Sequence, residues 1–161
     1  MIKKFLLIFL FIYNPLSAIE LQCFFEEVYE DSSTQQGLVL IKNDKLRYQY
    51  FDENLFTIFK NDNNFLIVEN KHPEIFKKIS HNTEVLSKIS EIALKYPNIN
   101  EFYKEDGLTI ILEKHKTGFF VRRIGILSKN LNMSIFLNDC KKVSLQNKYL
   151  NFFPYFDYIP K

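Results

Sequence analysis

The 161-residue chain has no tryptophan, four scattered glycines, two cysteines and three histidines. Each scarcity removes a class of chemistry. A glycine-rich phosphate cradle needs clustered glycines, and no G-x-S-x-G elbow is present to carry a serine nucleophile. His72, His81 and His115 form no H-x-x-H or H-E-x-x-H pattern, and Cys23 and Cys140 are too far apart for C-x-x-C. Such histidines are read as residues of caps and turns. Glu26 and Glu27 are neighbours, so on a strand they face opposite sides and share no site. The expectation is a protein without catalytic residues, metal or cofactor.

Charge of one sign is also lacking, with 21 basic residues against 19 acidic ones. The short basic clusters at 77–78, 122–123 and 141–142 are dispersed. A phosphate-backbone binder would gather them into a stripe, so no nucleic acid is expected.

The apolar run FLLIFLFI (5–12) is too short to span a bilayer, which takes about 20 residues. Lys3 and Lys4 precede it, Asn14-Pro15 breaks it, and Leu16-Ser17-Ala18 follows. This is the layout of a secretory signal peptide over 1–18 cleaved after Ala18, with 19–161 as the exported domain. An uncleaved membrane anchor is the competing reading. Leu21-Gln22 does not supply the small residue that lipidation of Cys23 would need. In an exported chain Cys23 and Cys140 can pair, joining the first strand to a late one, or stay as two buried thiols.

Phenylalanine and tyrosine are abundant. Strand patterns of period two occupy 21–29, 38–42, 46–51, 55–60 and 65–69, separated by polar turns such as Asn43-Asp44. The period then changes. Pro73 sits at a helix start, with Ile75, Phe76 and Ile79 at helical spacing. A second helix is predicted over 83–96, its apolar face including Leu86, Ile89, Ile92 and Ala93. Strands return at 108–113, 119–127, 133–137 and 141–145. The expected fold is α+β, an antiparallel and strongly curved sheet (an open half-barrel) with amphipathic helices as a lid on its concave face. Alternation within KLRYQY (45–50) puts Leu46, Tyr48 and Tyr50 on one side and Arg47 on the other, which is read as solvated.

Several motifs resemble those of the LolA-type periplasmic lipoprotein carriers. GLVLIK (37–42) followed by KLRYQY is similar to that family's alternating strand and its Leu-Arg-aromatic-x-Tyr. IFKNDNNFLIV (58–68) is similar to its second hairpin, and LNFFP with DYI (150–159) to its closing motif. Asn43-Asp44 stands where the family has Arg-Pro-Gly, and the family's N-terminal helix has no counterpart. The resemblance implies a periplasmic, monomeric carrier that shields acyl chains and ferries lipoproteins from the inner to the outer membrane. Its implied partners are acylated lipoproteins, an inner-membrane releasing transporter and an outer-membrane acceptor. Leu46, Tyr48, Tyr50, Phe56, Ile58, Phe65 and Ile67 would line the lipid cavity. Leu86, Ile89, Ile92 and Ala93 would form the lid, and Lys42 is the candidate latch. The alternatives are a closed permanent core, or an exported lipid- or amphiphile-binding module or lipoprotein acceptor of the same fold without a shuttle role.

Overall fold

The computed structural model describes residues 20–61, 64–80, 88–89, 91–92, 99–116 and 120–152. They build one ten-stranded antiparallel sheet in the order β6-β5-β4-β3-β2-β1-β10-β9-β8-β7. β1 (Glu20–Tyr29) lies at the centre. The chain moves outward by hairpins through β2 (Thr34–Lys42), β3 (Lys45–Tyr50), β4 (Phe56–Asn61) and β5 (Asn64–Glu69) to the edge strand β6 (Phe76–Ser80). It then crosses to the opposite edge, β7 (Phe102–Glu105). β8 (Leu108–Lys114), β9 (Val121–Leu127) and β10 (Asn132–Lys142) bring it back beside β1.

Local chemistry explains the hairpins. Asn43 turns β2 into β3 at φ +54°, a region asparagine tolerates. Asp106 and Gly107 both take positive φ between β7 and β8, as a tight two-residue hairpin asks. Gly37 answers a close approach instead. A Cβ there would lie 2.1 Å from the carbonyl oxygen of Gln49 and 2.3 Å from the Phe25 ring.

Two expectations are corrected. The fold is antiparallel β rather than α+β, and among the described residues no helix reaches seven residues. The first expected helix is strand β6, which pairs with β5 in the register Phe65↔Ile79 and Ile67↔Lys77. A five-residue stretch fits either period, and the open edge of β5 decides in favour of the strand. Within the second, Lys88, Ile89, Glu91 and Ile92 are helical, and Leu86 and Ala93 lie outside the described residues. The expected helical lid is therefore not the architecture found. The expected signal segment, 1–18, also lies outside the described residues.

β2 is buried on both faces over 37–40. The inner face holds Leu21, Cys23, Phe25, Val39, Ile110 and Ile135, with Ile92 and Ile99 of the crossing segment packed on it. On the outer face Leu38 and Leu40 pack against Leu145 and Leu150, from the segment after β10 that ends in a 3₁₀ turn (Asn147–Leu150). This is why GLVLIK reads as continuously apolar.

The solvated reading of Arg47 is corrected as well. Arg47 does lie opposite Leu46 and Tyr48, but it is fully buried beneath that C-terminal segment. Its guanidinium donates to the carbonyl of Tyr149 at 3.2 Å and to Gln49 Oε1 at 2.7 Å, and sits 5.3 Å from the Phe59 ring centre.

Candidate functional site

Period-two alternation places Leu21, Val39, Ile41, Leu46 and Tyr48 on the inner face of β1–β3. Val121, Ile124, Ile135 and Leu137 answer them from β9 and β10, because β10 pairs with β1. Together with Phe120 they line an apolar groove, which Ile89 and Ile92 also line. The free volume left is about 90 Å³. Ligand sites usually measure about 300–1,000 Å³, so the groove is nearly filled by its own side chains.

The structure thus brings four predicted residues together, Leu46, Tyr48, Ile89 and Ile92. Ile58, Phe65 and Ile67 share their face through the registers Tyr48↔Ile58, Ile58↔Ile67 and Lys60↔Phe65 but do not line the groove. Tyr50 and Phe56 line a separate open cavity at the far end of the face. Lys42 lies away from this face's cover. Its ammonium pairs with Glu20 at 3.0 Å and donates to the carbonyl of Leu145, so it pins the C-terminal segment. The Leu145 N–H also donates to Glu20, and this bond, followed by Lys42, holds the Glu20 carboxyl below its ordinary range. Cys23 and Cys140 form a disulfide between β1 and β10. Five of the twelve residues of the groove wall come from β9, β10 and the loop before β9, elements whose inner faces sequence reasoning did not assign.

Glu27 was missed as well. It shares the parity of Leu21, Cys23 and Phe25, which was the available signal, and it is buried. Three phenols donate to its carboxylate, Tyr29 at 2.6 Å, Tyr48 at 2.8 Å and Tyr50 at 3.0 Å. The Phe25 ring stacks on Tyr48 with centres 3.9 Å apart, and the Tyr50 ring meets Phe56 edge-on at 5.0 Å. Burial, followed by the nearby carboxylate, raises all three phenols, that of Tyr29 to about 12.

The sign of the linkage follows. Folded pKa values above the unfolded value of 10.0 mean that this stabilisation is complete below that pH. It is lost as the pH rises through about 12. These three phenols are expected to ionise late in an ultraviolet phenolate titration, together with alkaline unfolding. Glu27→Gln should bring their titration down, and ionisation of all three at the ordinary value of 10.0 in the wild type would refute the arrangement.

Among the described residues no three of His, Cys, Asp and Glu come together as a metal site would need. The described residues define an open antiparallel β domain with a filled apolar groove on one face. No family model and no curated protein matches the chain. Among solved structures, a LolA superfamily protein from Nitrosomonas europaea is similar over 85% of this chain and 91% of that chain, with 10% identity and a TM-score of 0.39. A likeness at that score carries no argument about what this chain does.

Proposed function

We propose that the chain is an exported carrier that holds the apolar part of an amphiphile in the groove, with the acyl chains of lipoproteins as cargo. One observation carries the reading, the apolar groove that Ile89 and Ile92 occupy. Each methylene moved from water into such a wall contributes about 0.8 kcal/mol, enough in sum to hold a long chain without any catalytic group. The groove must empty first, since about 90 Å³ admits no acyl chain. Ile89 and Ile92 are the two groove residues that lie outside the strands and the loop before β9. In this reading cargo binding competes with the side chains that fill the groove, a population shift between filled and cargo-bound states. The disulfide fits an oxidising compartment such as the periplasm, where the releasing transporter and the outer-membrane acceptor would be its partners.

The motifs quoted for the carrier family support lipoproteins as cargo. An amphiphile-binding module without a shuttle role is the rival outcome. Ile89→Asp should raise the affinity for an uncharged apolar dye such as N-phenylnaphthylamine by roughly ten- to a hundredfold, because binding no longer competes with a filled groove. Loss of cooperative unfolding in this variant, with no saturable dye binding, would mean a permanent core. Mass spectrometry of ligands co-purifying from an envelope extract distinguishes the cargoes, with acylated lipoprotein expected. Normal lipoprotein sorting after depletion would sink the shuttle role.

A further inference from the structure

We infer that the open cavity at the Tyr29 end of the inner face is a site for an organic ammonium group, held between aromatic rings and carboxylates. The cavity measures about 410 Å³ and lies among the β1–β2, β3–β4 and β9–β10 turns. That is the size range of small-molecule sites, about 300–1,000 Å³. Tyr29, Tyr50 and Phe56 supply three rings to its wall, and Glu30 and Asp31 stand at its rim. No lysine, arginine or histidine lines it among the described residues.

At the hydroxyl ends of Tyr29 and Tyr50 lies Glu27, a residue 3% exposed. Its hydrogen bonds all come from neutral phenols, and none of the ion pairs among the described residues includes it. The buried ammonium of Lys60 sits at the other end of the face, level with Leu46, and donates to the carbonyl of Asp44. Phenols satisfy the lone pairs of a carboxylate but supply no countercharge. Donation to Glu27 also makes the Tyr29 and Tyr50 rings more electron-rich, which strengthens their attraction for a cation. A phosphate or carboxylate would meet only like charge here. An ammonium ion finds aromatic rings and a net negative field. Asp31 is held in place as it accepts from the Ser33 N–H and hydroxyl at 2.9 and 2.6 Å.

The ammonium can belong to a free small amine or to the head of an amphiphile whose tail lies elsewhere. Neither the apolar groove nor its cargo enters the argument, so the two readings fail separately.

The test is calorimetric titration of the whole chain with choline and with its neutral isostere, 3,3-dimethylbutanol. Saturable binding of choline is expected, with the isostere roughly tenfold weaker or more. Glu27→Gln should weaken choline by a similar factor. Phe56→Leu, an apolar exchange that keeps the fold, should weaken it several-fold and serves if the first variant does not fold. Dodecyltrimethylammonium binding more tightly than choline points to an amphiphile head, and equal binding to a free amine. Both outcomes uphold the cation site. No saturable choline binding, or equal affinity for the neutral isostere, overturns it.

Discussion

Replacing Cys23 and Cys140 together by alanine is expected to lower the unfolding free energy by about 5 kcal/mol. The bond closes a loop across a sequence separation of 117 residues, and the chain-entropy cost of so long a loop gives that figure. Its position in the sheet adds to the case. β1 and β10 are far apart in sequence yet pair in the interior of the sheet, and the register between them shifts at the disulfide, from Gln22↔Lys141 to Phe24↔Asn138. Asp139 fills the extra position on β10 at φ +49°. The ladder is interrupted there, and the covalent bond spans the interruption.

Urea denaturation without reductant measures the effect. For a chain of this size, about 5 kcal/mol corresponds to a fall in Tm of roughly 10–20 °C. Because the cross-link acts mainly on the unfolded ensemble, the denaturant slope should rise in the double variant. The wild type unfolded in the presence of reductant should converge on the same curve. A double variant within about 1 kcal/mol of the wild type under oxidising conditions would show that the sheet registers itself without the bond.

The strand meander was legible because short β-branched and aromatic runs alternate and are punctuated by asparagine, aspartate and glycine. Its limits are physical. FKKIS (76–80) carries Pro73 upstream and Ile75, Phe76 and Ile79 at helical spacing, so local propensity favours a helix. Pairing with the edge of β5 prevails, and that partner is not visible locally. β7 went unread although Asp106-Gly107 beside it is a strong hairpin signal. Alternation correctly separated Arg47 from Leu46 and Tyr48, yet parity reports a face and not whether that face is covered. The cover comes from Leu145 and Leu150, about a hundred residues away. Glu27 was set aside because it cannot share a site with Glu26. Its partners are phenols on the same face of β1 and β3, and only the strand register brings them together.

Arg47→Leu tests that outer face and should cost about 3–5 kcal/mol. Were Arg47 solvated, the same exchange would change stability by no more than about 0.5 kcal/mol. The exchange leaves the Tyr149 carbonyl and Gln49 Oε1 without their guanidinium donor, at up to about 1–3 kcal/mol for each part-buried acceptor. The stacking over Phe59 is lost with them. Arg47→Lys should fall between, since an ammonium keeps the charge but cannot reproduce a fork that reaches both acceptors. Hydrogen exchange locates the damage. The amides of 143–150 should lose protection first, because Arg47, Lys42 and the Leu38–Leu40 surface hold that segment to the sheet. β8 and β9, at the other side of the sheet, should keep theirs. Dye binding in the groove should be unchanged, because Arg47 faces away from Leu46 and Tyr48. A shift in dye affinity in Arg47→Leu would mean that the cover on the outer face and the filling of the inner groove are one coupled equilibrium rather than two.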